Sequence, residues 1–286
     1  MSAGLMIDLT VDGKKVSVPA GTSVFDAARL NNIEIPTLCH QQNEKPIGVC
    51  RVCVVDVGAR VFTASCVRPA EQGMVVSTNS EKVKQARKTL VELLMTDHVS
   101  PCARERQSGD CELEALAKQD NLARSRFAPQ ATRRGVDDSS MSIGVDFDAC
   151  ILCDRCIRGC DEIRENFVLG RMGKGETTRI AFDNNLPMGE SSCVSCGECM
   201  VSCPTGALTN KVINQTAIAA PGSEPVSFQE LNELPFFEGV SGTFLSLNRN
   251  AVVRRRFRRG DVICREGEYG STAFYILDGE ARVSIA

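Results

Sequence analysis

The 286-residue sequence lacks several features that mark broad classes of protein. No apolar run approaches the ~18 residues of a membrane-spanning helix. Residues 1–8 contain no basic stretch followed by an apolar core, so no secretory signal is expected. A net charge of −3 gives no electrostatic reason to expect nucleic acid or an anionic membrane as the main partner. These absences predict a cytoplasmic protein with no membrane span and no nucleic-acid partner.

Motifs for nucleotide and substrate chemistry are missing as well. The sequence has no G-x-G-x-x-G after a predicted strand and no P-loop. No other set of residues indicates a site for hydrogen, formate or nicotinamide. We therefore expect no catalytic residues in this chain.

Cysteine, by contrast, is abundant. The chain has 15 cysteines, and 14 of them lie in tight groups between Cys39 and Cys203. Disulfide scaffolds are usually small secreted domains, whereas clustered thiols in a reducing compartment favour metal ligation. The cysteine pattern therefore predicts a metalloprotein.

The hydrophobic pattern divides the chain into several units. Residues 1–80 predict a small mixed sheet with one helix, in which a strand at 6–11 turns at Asp12-Gly13 into a strand at 16–18 and Ser23 opens the helix. A long helix follows Ser80, with Val83, Ala86, Leu90 and Leu94 on one face. Further strands are expected at 51–57, 61–63 and 74–77, and polar linkers at 128–142 and 219–224.

The strongest signal is a repeated cysteine spacing. The first run (Cys150, Cys153, Cys156 and Cys160) follows C-x2-C-x2-C-x3-C, and the second run (Cys193, Cys196, Cys199 and Cys203) repeats it before Pro204. In two-cluster ferredoxins the fourth cysteine of such a run ligates the other [4Fe–4S] cluster. This rule predicts a first cube set, Cys150, Cys153, Cys156 and Cys203, and a second cube set, Cys193, Cys196, Cys199 and Cys160. Zinc is the alternative, because C-x2-C pairs also bind it.

An N-terminal set of four cysteines has a different spacing. Cys39, Cys50, Cys53 and Cys66 read C-x10-C-x2-C-x12-C, which is not the plant-type pattern but contains the central C-x2-C pair of a [2Fe–2S] site. The segments IPTLCHQQNEKPIGVCRVCVVDV and SCVRPAEQGM resemble the N-terminal ferredoxin domain of the complex I large subunit. The same domain occurs in iron-only hydrogenases and in the small diaphorase subunit of NAD-reducing hydrogenases. The resemblance implies a β-grasp ferredoxin domain.

The resemblance continues through both runs, as FDACILCDRCIRGCDEI and CVSCGECMVSCPTGAL. Between these regions, relatives carry His-x3-Cys-x2-Cys-x5-Cys, which binds a further [4Fe–4S] cluster. The matching residues here are His98, Cys102, Glu105 and Cys111, so a glutamate replaces the second cysteine. A carboxylate is a harder ligand than a thiolate. Three interpretations stay open: Glu105 is a ligand, the cube lacks one protein ligand, or the site is structural and holds no cluster.

Residues 257–286 of the tail read FRRGDVICREGEYGSTAFYILDGEARVSIA. This segment resembles the opening strands of a cyclic-nucleotide-binding β-roll, and residues 231–237 resemble its helical lead-in. The resemblance stops before the phosphate-binding cassette, so no nucleotide ligands are assigned, and we expect the native chain to continue past residue 286. The basic run at 254–259 predicts a solvated strand with Phe257 turned inward, rather than a nucleic-acid site. Cys264 is expected to be a small buried residue.

Together these patterns predict an α+β protein with four parts. These are a β-grasp [2Fe–2S] domain at 1–80, a helix and His/Cys segment at 81–127, a two-[4Fe–4S] ferredoxin domain at 140–215, and a partial β-roll at 226–286. The resemblance implies a non-catalytic electron-transfer subunit of a hetero-oligomer. Its partners would be a flavoprotein that handles NAD(P)H and a catalytic redox subunit such as a hydrogenase or formate dehydrogenase. The rival hypotheses are a redox-responsive regulator, in which the state of the clusters alters nucleotide binding by the tail, and a zinc-stabilised scaffold.

Overall fold

The structure is a computed structural model, and it describes residues 5–42, 44–122, 125–127, 133–211, 222–238, 240, 252–265 and 273–284. The chain divides into two compact units, residues 1–211 and 212–286. Both units combine helices with short strands. None of the helices found in the described residues is long and apolar enough to cross a membrane.

The N-terminal sheet has the strand order β2-β1-β5. Strands β1 (Met6–Val11) and β2 (Lys14–Pro19) form an antiparallel hairpin, and β5 (Val75–Val76) pairs parallel to β1. The hairpin turn at Asp12 and Gly13 has φ of 48° and 82°, the positive values that suit a two-residue turn between twisted strands. The predicted hairpin is therefore confirmed.

Helix α1 (Val24–Leu30) covers this sheet. It begins at Ser23, whose hydroxyl accepts a hydrogen bond from the Asp26 backbone N–H, so the predicted cap is confirmed. Strands β3 (Val54–Val55) and β4 (Thr63–Ala64) form a separate short pair. These strands are shorter than the stretches predicted at 51–57 and 61–63, and Arg51, before β3, has a left-handed φ of 64° that a strand does not accommodate.

Three helices follow in the middle of the chain: α2 (Glu81–Asp97), α3 (Ala103–Ser108) and α4 (Glu112–Gln119). Helix α2 packs against α4 and β3. Of the predicted stripe, Val83 is buried and Leu94 packs partly buried against the core, and Val91 and Glu92 are buried as well. Glu92 is buried because the Arg126 guanidinium lies 2.8 Å from its carboxylate and balances the charge.

The region of the two cysteine runs contains an antiparallel sheet and a hairpin. The sheet has the order β10-β7-β6, from Leu208–Asn210, Ile143–Asp146 and Val136–Asp137. The hairpin joins β8 (Leu169–Met172) to β9 (Arg179–Phe182) and fills the insertion between the runs. The stretch at 128–142 was predicted as a linker, and this is wrong for 136–137, because backbone pairing with β7 recruits these polar residues.

Short helical elements carry the cysteines of the runs. Helix α5 (Arg155–Arg158) continues into a π-helical turn, Gly159–Ile163, and α6 (Glu198–Ser202) lies in the second run. Single 3-10 turns complete this unit at Phe147–Ala149, Gly175–Thr177 and Met188–Glu190.

The described residues of the second unit include a two-stranded antiparallel sheet and a helix. Strand β11 (Ser223–Pro225) pairs with β12 (Val253–Arg255), and α7 (Phe228–Glu233) precedes a 3-10 turn at Pro235–Phe237. Two expectations for this tail are wrong: Phe257 is 41% exposed and Cys264 is exposed. Much of the predicted β-roll, including 241–251 and 266–272, lies outside the described residues.

Candidate metal centres

All four cysteines of the N-terminal set lie buried around one point of the structure. Cys39 lies in the loop after α1, Cys50 and Cys53 precede β3, and Cys66 follows β4. The Sγ atoms of Cys53 and Cys66 are 3.4 Å apart. Gly48 (φ 64°) allows the tight turn before Cys50, and a Cβ there would approach Val67 to 3.1 Å.

These four thiols are close enough to exchange hydrogen bonds. Hydrogen bonds from Cys50 and Cys66 lower the pKa of Cys39 to about 2, and one from Cys66 lowers the pKa of Cys53 to about 6. Donation to Cys39 raises the pKa of Cys50 and of Cys66. Two of the four buried thiols thus favour the thiolate form that metals bind, and cluster binding at the other two would release protons.

The two runs fold into the same local loop. Leu152 and Ser195 occupy equivalent positions, and both have a left-handed φ of 54°. Leu152 donates its backbone N–H to Cys150 Sγ at 3.4 Å, and Ser195 donates in the same way to Cys193 Sγ at 3.4 Å. N–H···S bonds of this kind stabilise bound thiolates, so both loops fit the ligand role predicted for them.

The cysteines of the runs are brought together across the repeat. A cavity is lined by Cys160, Cys193, Cys196 and Cys199, the four members of the second cube set. In the first cube set, burial raises the pKa of Cys150 to about 11, and the neighbouring Cys203 adds to this effect. Burial also raises the pKa of Cys199 to about 12. Cluster binding at these thiols must therefore release protons.

A buried arginine on α5 joins the first run to the N-terminal set. Arg158 donates to the backbone carbonyl oxygens of Cys39 and, at 2.8 Å, of Lys45. Its guanidinium also lies 2.7 Å from the Glu44 carboxylate, and the two side chains are 7% and 0% exposed. Burial raises the pKa of Glu44 although the charge of Arg158 opposes this. The pair holds the Cys39 loop against the first run.

Two further arginines connect other parts of these regions. Arg155 donates to the Leu38 carbonyl at 3.2 Å and to the Glu112 carboxylate at 2.8 Å. Arg104, on α3, donates to the backbone carbonyl of Cys203. The Cys39 loop and the end of the second run are therefore each held by a cation from another segment of the chain. These arginines were not predicted from the sequence, although Arg155 and Arg158 lie inside the first run.

The His98 segment (residues 98–114) brings four donor groups together. His98, Cys102, Cys111 and Glu114 are all buried, and their ligand atoms lie within 4.8 Å of one another. Three of these residues were predicted from spacing. Glu114 was not predicted. It lies three residues after Cys111 at the start of α4, and side chains at this spacing are neighbours on a helix surface.

Glu105, the predicted fourth residue, lies beside this group with other partners. Its carboxylate is paired with the Lys118 ammonium and accepts the Cys111 backbone N–H at 3.3 Å. A hydrogen bond from Cys111 lowers the pKa of Cys102 to about 5. The backbone of Gly206 packs so closely here that a Cβ would come within 2.9 Å of Cys102 Sγ.

Two protein families match parts of this chain. Residues 4–81 match a 2Fe-2S iron-sulfur cluster binding domain, and residues 149–207 match a 4Fe-4S dicluster domain. The first covers the N-terminal set, and the second covers both runs. The chain therefore has ferredoxin-type [2Fe–2S] and [4Fe–4S] domains in a mixed α/β fold.

Similar proteins are subunits of redox enzymes. The NADP-reducing hydrogenase subunit HndD of Solidesulfovibrio fructosivorans is 39% identical over 71% of this chain and 36% of its own length. The mitochondrial NADH-ubiquinone oxidoreductase 78 kDa subunit of Candida albicans is 33% identical over 72% of this chain and 28% of its own length. The chain thus spans about a third of the curated relatives it matches.

A solved structure agrees with these matches over most of its length. The crystal structure of an NAD+-reducing [NiFe]-hydrogenase in the H2-reduced state contains a chain that is 30% identical to this one, with a TM-score of 0.66. The match covers 72% of this chain and 88% of that one. The iron–sulfur domain matches, the sequence identity over about 70% of the chain and the similarity in fold lead to one conclusion: the chain belongs to the iron–sulfur family that includes the N-terminal region of the complex I large subunit and the corresponding parts of NAD(P)-linked hydrogenases.

Proposed function

We propose that this chain is an electron-transfer subunit or module. It would relay electrons between a flavoprotein that handles NAD(P)H and another redox catalytic subunit, such as a hydrogenase or formate dehydrogenase. The observation that carries this proposal is the composition of one core. A single cluster of packed, buried residues includes Cys39 and Cys50 of the N-terminal set, Cys102 and Cys111, and cysteines of both runs. The packing of these ligand sites into one core supports a series of neighbouring clusters along which electrons would pass.

The finer assignments belong to this proposal. The N-terminal set would hold one [2Fe–2S] cluster in a β-grasp domain at 1–80, and the two cube sets would hold two [4Fe–4S] clusters in a domain at 140–215. The segment at 81–127 would join them, and the tail at 226–286 would form part of a β-roll. Reduced thiol ligands suit a cytoplasmic location.

The residues of the chain would serve this function in three ways. They supply thiolates, they exclude water from them, and they fix the distances between sites through buried arginines such as Arg158. Iron–sulfur clusters bound there would supply reversible one-electron chemistry at potentials set by charge, hydrogen bonds and exposure. The second run reaches the surface at Cys196, which is exposed, so a redox partner can approach this end most closely.

The rival functions have less support. A redox-responsive regulator would need a nucleotide-binding tail, whereas the two family matches both describe iron–sulfur cluster domains. A zinc scaffold would leave the cysteine runs without iron, and the dicluster match speaks against it.

The test is to measure iron and acid-labile sulfide in protein purified without oxygen. The N-terminal set and the two cube sets together predict about ten irons per chain. Reduction with dithionite should give separate [2Fe–2S] and [4Fe–4S] signals in electron paramagnetic resonance (EPR) spectra. Colourless protein with zinc in place of iron would rule out electron transfer.

A further inference from the structure

The His98 segment contains four donor groups that the three predicted cysteine sets do not use. His98, Cys102, Cys111 and Glu114 are buried, and their ligand atoms lie within 4.8 Å of one another. Buried lone pairs that face one another are costly unless protons or a cation lie between them. This cluster therefore needs a shared occupant.

The orientation of His98 shows where that occupant belongs. Its Nδ1 lies 3.0 Å from the backbone carbonyl of Ala149, which can only accept, so Nδ1 carries the proton. Its Nε2 faces Glu114 Oε1 at 3.3 Å and Cys111 Sγ at 3.8 Å. A histidine that donates one ring N–H to a carbonyl and turns the other nitrogen toward anionic groups has the arrangement of a metal ligand.

The Glu114 carboxylate is held in the same manner. Its Oε1 accepts the Cys102 backbone N–H at 2.9 Å, and its Oε2 accepts the Ser100 hydroxyl at 2.8 Å. Such outer hydrogen bonds orient carboxylates that bind metals. Glu105, in contrast, is engaged by Lys118 and by the Cys111 backbone N–H.

We propose that His98, Cys102, Cys111 and Glu114 bind a single Zn²⁺ ion. One nitrogen, two sulfurs and one oxygen are zinc ligands at about 2.0–2.3 Å, which places the ligand atoms roughly 3.3–3.8 Å apart in a tetrahedron. That separation lies within the observed span. A [4Fe–4S] cube holds four irons and spreads its outer ligands further apart. In the His-x3-Cys-x2-Cys-x5-Cys pattern, Glu105 also stands where the cube would need a cysteine.

The ion would be structural, because four protein ligands leave no open position for substrate. It would join three helix ends: His98 follows α2, Cys102 precedes α3, and Cys111 precedes α4. Metal binding adds to folding free energy when the unfolded chain has no preformed site. The ion would therefore fix the segment that packs between the two ferredoxin-type regions.

The test is the zinc content of protein purified without oxygen, measured by mass spectrometry. We expect about one zinc beside about ten irons per chain. Glu114→Gln keeps the shape of the side chain but removes its charge, so zinc affinity should fall at least ~10-fold, since even outer-shell changes cost 10–100-fold. The matched control Glu105→Gln should keep its zinc.

Zinc X-ray absorption on the wild-type protein makes the test independent of how the variants fold. It should show two sulfurs at about 2.3 Å and two lighter ligands at about 2.0–2.2 Å. About fourteen irons without zinc would overturn the proposal in favour of a cube. About ten irons and no zinc, even after dialysis against Zn²⁺, would overturn it in favour of a proton shared by His98 and Glu114. Neither result argues against the electron-transfer function. Iron missing from the cysteine runs would argue against that function but not against the zinc site.

Discussion

The two cysteine runs share one spacing and one local loop, yet they lie in different surroundings. Leu152 and Ser195 have the same φ of 54° and make the same N–H···S bond at 3.4 Å. All four cysteines of the first run are buried, whereas in the second run Cys193 is half-buried and Cys196 is exposed. Local geometry follows the spacing, while exposure depends on what packs around each loop.

Equivalent positions of the repeat show this most clearly. Arg158 of the first run corresponds to Val201 of the second, and the arginine is buried while the valine is 72% exposed. Arg158 is buried because its guanidinium bonds the Cys39 loop and pairs with Glu44. The first run thus lies between other parts of the chain, and the second run lies at an edge.

The largest expected effect comes from removing one ligand in each run. Cys156→Ser and Cys196→Ser should each lose about four irons, because a cube needs all four thiolates. The unfolding midpoint should fall further for Cys156→Ser, because Cys156 lies in the core and Cys196 does not. Iron analysis and thermal unfolding without oxygen measure both effects.

The exposed Cys264, outside both runs, offers the control for this pair. Cys264→Ser should leave the iron content and the unfolding midpoint unchanged. Equal loss of stability in the two ligand variants would contradict the difference in surroundings.

The next effect concerns the ion pairs beside each run. Arg158→Met removes the cation that pairs with the buried Glu44 carboxylate, which should lower the free energy of unfolding by about 3–5 kcal/mol. Arg164→Met breaks the pair between Arg164 and Glu198 beside the second run, where Arg164 is half-exposed, and should cost about 0–1 kcal/mol. Denaturant unfolding of the two variants compares them directly, and a similar cost for both would show that the Arg158 pair is not desolvated.

A smaller effect is expected where the two runs touch. A Cβ at Gly159 would lie 2.9 Å from Ser202 Oγ, between α5 and α6, so Gly159→Ala should destabilise the protein by about 1–3 kcal/mol. Adding Ser202→Ala should restore part of this loss by removing the clashing oxygen. Gly170→Ala is the control, because a Cβ there meets nothing within 4 Å. If chemical denaturation gave the same loss in free energy of unfolding for Gly159→Ala and Gly170→Ala, the inference that the two runs pack closely at Gly159 would be wrong.

The smallest effect concerns one hydrogen bond in the exposed run. Asn166 donates its side-chain N–H to Cys196 Sγ at 3.8 Å. Hydrogen bonds to ligand sulfurs favour the reduced, more negative state, so Asn166→Ala should lower the reduction potential at this site only. An EPR-monitored redox titration measures the shift. Asn185→Ala, which removes a partner of Arg179 instead, should leave the potential unchanged.

Much of the fold could be predicted because its signals are local. The cap at Ser23, the turn at Asp12 and the helix after Ser80 each depend on neighbouring residues, and all three are confirmed. The errors concern residues whose state depends on distant contacts. Strand β6 forms because β7 lies beside it, and Phe257 and Cys264 are exposed although their apolar character predicted burial.

The candidate site divides in the same way. The sequence by itself determined which cysteines are available and how each run loops, because spacing along the chain sets the local backbone. Only the tertiary structure decided that Glu114 faces His98, that Glu105 turns to Lys118, and that one run is buried while its copy reaches the surface. Burial and pairing depend on residues far apart in sequence, and these meet only when the chain folds.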